Sequence, residues 1–404
     1  MSQAESFQST KDKENAFTFE VYPKRNIVIT KAKNATVWDE SGRTYIDCAA
    51  GIGVANIGHC NDYVTKKLKE QLDKLVICPG IFYNDTRAEF LEKLLSIVPK
   101  NLTKAFLSNS GTEAVEAALK FTRYTTKKTE FIAFNRAFHG RTMGSLSATF
   151  EPKYRDDFKP LVEGFSHVPF NNYQKLLEKV TDNTAGIIME LVQGEGGINI
   201  ATPEFVKQVR ELCSKKCIIL IIDEIQTGFG RTGEIFACSH YNVEPDILCL
   251  AKSIAGGIPM GATVVSDKIN IDIGKHGNTF GGNPLACAGG SATIDFMLES
   301  KLASQAKEKG DYVAEKLKAK QNQVPIIRNI RNLGLMIGLE LKTHVKDYLG
   351  LLLENGVIAM PAGKTVLRLL PPLTISYEEL DQAIEIIITT LKSEIKPSND
   401  NTEE

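Results

Sequence analysis

The sequence predicts an α/β protein built on a mostly parallel sheet. Strand-length apolar runs recur through the middle of the chain, at 105–108, 131–134, 185–190, 217–224 and 246–251. Between them lie helical patterns at 113–123 and 203–212, the second opening on Thr202 as N-cap with Pro203 at its first position. This alternation implies crossover units, which bring consecutive strands into parallel register. At 404 residues the chain is also longer than one hydrophobic core usually serves, so two packed domains are expected.

The flanks read differently from this core. Residues 27–45 alternate as strands do, with a turn at Asp39-Glu40-Ser41-Gly42. From Leu302 the chain turns to an amphipathic helix, then to a strand candidate at LMIGLELK and a closing helix near 377–394. The expected division is a tail over 1–16, the N-terminal part of a small domain over 17–60, a large domain over 61–300, the rest of the small domain over 301–395, and a tail over 396–404. Both tails are too polar to bury anything and are expected to be mobile.

A net charge of −1, with 43% hydrophobic and 24% charged residues, describes an ordinary globular protein with no global field toward nucleic acid or anionic lipid. The first residues carry no apolar signal stretch and no later run reaches 18 apolar residues, so a cytoplasmic protein without membrane spans is expected. Eight cysteines are scattered without a CxxC pair. Cys213 and Cys217 fall one helical turn apart, but no histidine lies near them, so neither a metal site nor a disulfide framework is expected.

Three segments carry chemistry. In CIILIIDEIQTGFGRTG an apolar strand ends on Asp223, at the edge where open α/β sheets bind ligands. In ILCLAKSIAGGIPMGA a strand leads into Lys252; an amine held among apolar groups has its charged form disfavoured and becomes nucleophilic. In SNSGTEAVEAALK the backbone N–H groups of Gly111 and Thr112 open a helix and could cradle a phosphate. Each has a plainer reading on its own: a capping acid, a surface lysine, a simple helix cap. Taken together they match the needs of pyridoxal phosphate, which requires a lysine for its aldehyde, a carboxylate beside its pyridine nitrogen and donors for its phosphate. The GxGxxG of a nicotinamide site is absent.

These segments resemble the class III, ornithine-type aminotransferases of the fold-type I pyridoxal-phosphate superfamily. DESGRTYIDCAAGIGVANIGH, SNSGTEAVEAALK, FHGRTMGSLS, QGEGG, IDEIQTGFGRTG, AKSIAGGIPMGA and HGNTFGGNPLAC follow the family's order from about Tyr22 to Ile386. The resemblance implies a large domain on a mostly parallel seven-stranded sheet and a smaller α+β domain drawn from both chain ends.

It also implies roles. Lys252 would bond the cofactor aldehyde and shuttle the proton, Asp223 would pair with the pyridinium nitrogen, and Gln226 would bond the ring's phenolic oxygen. Phe138 would cover one face of the ring, while Ser110, Gly111 and Thr112 would hold the phosphate. Thr279 would reach that phosphate from the neighbouring subunit, which implies a homodimer with shared active sites. For substrate, Arg141 would grip a carboxylate, Arg368 would be a switchable second arginine gated by Glu195, and Glu190 would join them. Without the resemblance, Arg141 and Arg368 read as surface or structural ion-pair residues.

Two departures stand out: Glu190-Leu191 replaces the family's Glu-Pro, and Asn61-Asp62 its His-Pro. Ile52 stands where ornithine δ-aminotransferases resemble one another in having tyrosine, which disfavours free ornithine. GIGVANIGH, RNLGLMIGLELK and AGKTVLRLLPP most resemble the acetylornithine branch, particularly enzymes of lysine and arginine biosynthesis whose substrate rides on a small acidic amino-group carrier protein of the LysW type. The expected reaction moves nitrogen from glutamate, leaving 2-oxoglutarate, to the semialdehyde of an α-amino-masked substrate. N-acetylornithine aminotransferase is the next reading, 4-aminobutyrate aminotransferase the third, and glutamate-1-semialdehyde aminomutase the isomerase alternative.

Overall fold

The structure, a computed structural model, describes residues 9–393. Its centre is a seven-stranded sheet in the order Leu102–Ser108, Gly261–Ser266, Ile247–Leu250, Ile219–Asp223, Thr184–Met189, Glu130–Phe134, Phe165–Val168. Gly261–Ser266 runs antiparallel to both neighbours and every other pairing is parallel. All five strands expected from the apolar runs are present. Two more complete the sheet: the half-buried edge strand Phe165–Val168 and the wholly buried Gly261–Ser266.

The central strands are buried along their length because helices cover both faces, the condition under which a parallel sheet is stable. Helix Gly111–Thr126 packs Ala114, Ala117 and Ala118 onto one face, and these short side chains bring its backbone close to the sheet. It begins at Gly111, two residues before the expected start, capped where Ser110 Oγ accepts from Glu113 N at 3.3 Å. Helix Pro203–Lys216 starts as expected, with Thr202 Oγ1 accepting from Phe205 N at 3.3 Å, and ends on Cys217 in the left-handed conformation.

The chain ends supply two four-stranded sheets. Ile29–Lys33, Thr36–Asp39 and Thr44–Asp47 form a meander closed by Val357–Ile358, parallel to Thr44–Asp47, so residues more than 300 apart in sequence share one sheet. A second antiparallel sheet takes Ile327–Leu333, Met336–Leu341, Val366–Leu369 and Met360–Ala362 in that order. The expected helices appear as Leu302–Gln321 and Tyr377–Lys392.

One stretch read as tail is ordered. Thr10–Phe17 is a helix whose Ser9 and Asp12 form a reciprocal capping box, though it buries none of its residues. Residues 1–8 of the first expected tail and the whole of the second, 396–404, lie outside the described residues. No described helix is long and apolar enough to cross a membrane.

A fully buried arginine braces the junction of these parts. Arg231 donates to Asn56 Oδ1 at 2.5 Å, Pro371 O at 2.6 Å and Leu335 O at 3.0 Å, joining three segments distant in sequence. Burial pushes its pKa down to about 9, against the opposing charge of Asp47.

Candidate active site

The parallel strands discharge into one cavity of about 440 Å³ at their carboxyl edge. Ser110, Gly111, Thr112, Phe138, Glu190, Glu195, Asp223, Gln226 and Lys252 all line it. Arg368 stands behind that lining, bonded to two of its members, whereas Arg141 and Thr279 are exposed and do not line the cavity of the single chain.

Lys252 follows the strand Ile247–Leu250 and adopts a left-handed backbone, φ +48°, a strained conformation of the kind that collects at functional sites. Burial drives its pKa below the ordinary lysine value; Glu195, Asp223 and Glu190 pull the other way, while Arg368 adds to the fall. The amine is therefore readier to be neutral than a surface lysine.

Asp223 ends the neighbouring strand and is buried. Its Oδ1 accepts from Ile225 N at 3.0 Å, and its Oδ2 lies 2.7 Å from His139 Nδ1. With an ionised carboxylate as acceptor, Nδ1 carries the proton. His139 went unnoticed in the sequence, although it adjoins Phe138 in the FHGRT motif; no spacing rule links it to an acid 84 residues away.

Glu190 ties two walls of the cavity. Its Oε2 accepts from Phe138 N and its Oε1 from Gly194 N, each at 3.1 Å. Burial pushes its pKa up to about 7; His139 and the two N–H groups oppose that rise and Asp223 assists it. Opposite, Arg368 Nη1 donates to Glu195 Oε1 at 2.6 Å and to Gln226 Oε1 at 3.2 Å. Burial works to raise the Glu195 pKa, but the charge and hydrogen bond of Arg368 outweigh it and hold the carboxyl below its ordinary value. Gly194 makes room for this arrangement, since a Cβ there would fall 2.0 Å from Gln226 Oε1.

The polar cluster at the N-terminus of helix Gly111–Thr126 is larger than the sequence indicated. Thr112 Oγ1 lies 2.7 Å from Thr142 Oγ1 and 2.6 Å from Ser145 Oγ, so hydroxyls of the FHGRTMGS segment gather beside the N-terminus of helix Gly111–Thr126. Gly140, φ +132°, permits this: a Cβ would sit 2.5 Å from both Thr112 Oγ1 and Ser145 Oγ. Glu116, one turn into the helix, accepts from Thr142 Oγ1 at 2.5 Å, Gly144 N at 2.9 Å and Ser145 N at 3.0 Å. It thereby fixes the second segment against the first.

These residues fit pyridoxal phosphate. Hydroxyls and helix N–H groups suit its phosphate, Asp223 its ring nitrogen, the Phe138 ring its face and Lys252 its aldehyde. When bound, the cofactor supplies an electron sink for the carbon whose proton is moved. Fold and site thus define a pyridoxal-phosphate-dependent aminotransferase.

The chain belongs to the aminotransferase class-III family, whose description matches residues 20–391. It is 47% identical over 369 residues to a [LysW]-aminoadipate semialdehyde transaminase of Deinococcus radiodurans, covering 90% of this chain and 86% of that one. It is 42% identical to an acetylornithine aminotransferase of Methanocaldococcus jannaschii, covering 94% and 98%. Among solved structures, a Toxoplasma gondii ornithine aminotransferase with pyridoxal phosphate at partial occupancy in its active site superposes with a TM-score of 0.91, at 32% identity over 96% of this chain and 95% of that one.

Proposed function

We propose that this aminotransferase acts on the terminal amine of a substrate whose α-amine is masked, exchanging nitrogen with glutamate and 2-oxoglutarate. The observation that carries the reading is the pairing of Glu195 with Arg368 at 2.6 Å while Arg141 meets no carboxylate among the described residues. With Arg368 neutralised, no free guanidinium lies beside Lys252, and a terminal amine enters without a carboxylate alongside it. The carboxylate at the far end of an ornithine- or lysine-length substrate would meet Arg141 outside the cavity, and the substituent on its α-amine would face solvent. Glutamate would instead engage Arg368 by displacing Glu195.

An α-amine left facing solvent suits a bulky mask, including a small acidic carrier protein. The likeness to the Deinococcus radiodurans enzyme, whose name includes such a carrier, supports that version. The likeness to acetylornithine aminotransferases supports the acetyl-masked alternative.

Within the site we assign Lys252 as the residue that bonds the cofactor and moves the proton, and Asp223 as the partner of its ring nitrogen. Gln226 and Phe138 position the ring, while Ser110, Gly111 and Thr112 hold the phosphate. Thr279 is assigned to the partner subunit's cavity in a homodimer. Its loop adjoins exposed apolar residues, Phe280 on one side and Ile81, Phe82 and Tyr83 on the other. Arg87 links the two segments, donating to Gly282 O at 2.8 Å and Phe82 O at 3.0 Å. An apolar patch of this kind is suited to covering by a second copy.

Turnover of carrier-linked lysine and ornithine, N-acetylornithine and 4-aminobutyrate, each with 2-oxoglutarate, tests the assignment. Masked substrates should lead and glutamate should accumulate. Preference for 4-aminobutyrate, or conversion of glutamate-1-semialdehyde without net transfer to 2-oxoglutarate, would overturn it.

A further inference from the structure

Arg141 is held by unusual means. Its backbone is pinned on one side by Gly140 and on the other by the Glu116 cap on Thr142, Gly144 and Ser145. Its guanidinium has neither hydrogen bond nor salt bridge to protein among the described residues. Instead the guanidinium carbon lies 4.7 Å from the ring centre of Tyr154 and 5.9 Å from that of Phe138. The two rings meet edge to face at 5.7 Å and 78°. Phe138 lines the cavity; Tyr154, in the short helix Pro152–Arg155, does not, and its hydroxyl has no protein partner among the described residues. What Tyr154 offers is therefore its ring face.

A long arginine side chain at an exposed position ordinarily samples many rotamers and takes up whatever carboxylate is near. Acids are near in sequence: Glu151, Asp156 and Asp157 flank the tyrosine. Contact with the Tyr154 ring holds the guanidinium beside Phe138, a residue of the cavity wall, without spending any of its N–H donors. All of them stay available for a bidentate carboxylate, an arrangement that an ion pair would have consumed.

We infer that Tyr154 is a positioning residue for specificity: by holding Arg141 against Phe138 it turns that arginine into a fixed receptor for the carboxylate at the far end of a terminal-amine substrate. The inference rests on the assignment of Arg141 to the substrate carboxylate. The chemical class it selects is a masked α-amino acid with a terminal amine, over the same chain lacking the carboxylate. Lys153 Nζ, 5.2 Å from the Tyr154 ring centre, adds positive charge to the same rim.

The test compares each masked amino acid with its decarboxylated twin. Holoenzyme is assayed with Nα-acetylornithine against N-acetyl-1,4-diaminobutane, and with Nα-acetyllysine against N-acetyl-1,5-diaminopentane, taking the pair turned over faster. Tyr154→Leu should raise KM for the carboxylated substrate about 10-fold, the effect of losing one partly exposed cation–π contact and the order it imposes. Its kcat should stay within about twofold, since the tyrosine touches no reacting group. The preference for the carboxylated twin should fall by the same factor, and Tyr154→Phe should restore it.

Should Tyr154→Leu fail to fold, Tyr154→Met removes the ring face at similar volume and carries the same expectation. Arg141→Met separates the levels of failure. If Arg141→Met collapses the preference while Tyr154→Leu leaves it intact, the inference about Tyr154 is overturned. If Arg141→Met leaves the preference intact, or the unmodified enzyme accepts neither the acetyl-masked nor the carrier-linked amino acids, the functional assignment itself fails.

Discussion

His139 Nδ1 and Asp223 Oδ2 lie 2.7 Å apart in a fully buried pair at the base of the cavity. The imidazole fixes the orientation of the carboxylate that we assign to the cofactor's ring nitrogen, as outer partners orient the ligands of a reactive centre. A hydrogen bond to a charged group contributes about 1.5–3 kcal/mol, so His139→Leu should lower kcat roughly 10- to 100-fold. His139→Asn, whose amide can donate from nearly the same place, should recover part of that loss. Steady-state kinetics with the cofactor saturating provides the check; unchanged kcat in the leucine variant would remove His139 from the account.

The Glu190 carboxyl makes a prediction about pH. Its folded pKa, about 7, is raised above the ordinary 4.5 by burial, so the folded chain binds a proton that the unfolded chain has already released. The stability this contributes is fully present below pH 4.5 and is lost as pH rises through about 7. The gap corresponds to about 3 kcal/mol across that interval. In cofactor-free protein, urea unfolding at pH 5 and pH 7.5 should show a smaller decline for Glu190→Gln than for the unmodified chain. An identical decline in the two proteins would show that Glu190 does not carry this linkage.

Arg231 should matter to stability more than to chemistry. Replacing it with methionine leaves Asn56 and the carbonyls of Leu335 and Pro371 without their donor in the interior. A cost of about 3 kcal/mol or more is expected from such unsatisfied groups. Denaturant unfolding reads it directly, while a loss below about 1 kcal/mol would mean that water or a rearranged neighbour replaces the guanidinium.

What could be read in advance followed from how strongly each residue's neighbours constrain it. The core strands were legible because a strand buried on both faces must be apolar along its length, as the first four residues of Ile219–Asp223 are, and Asp223 and Lys252 could be placed from where those runs stop. Phe165–Val168 escaped notice because an edge strand tolerates Ser166 and His167, and Gly261–Ser266 because only two valines interrupt its Gly, Ala, Thr and Ser, leaving no continuous apolar run. The helix Thr10–Phe17 carried a capping signal in Ser9 and Asp12, but its polar composition suggested a tail. His139, Glu116 and Tyr154 could not have been found, because each acts on a group that only the folded chain brings near. Arg141 lies at the surface and Arg368 in an ion pair, the two positions read for them without the resemblance.

The chemistry turns on Lys252, and reduction of the holoenzyme with borohydride tests that residue's role most directly. Reduction should fix the cofactor irreversibly to the protein, and mass mapping should find the added mass on the peptide containing Lys252 and on no other. The Lys252→Ala protein should fold, lack the label and fail to turn over. Label on a different lysine, or full activity in Lys252→Ala, would contradict the account at its centre.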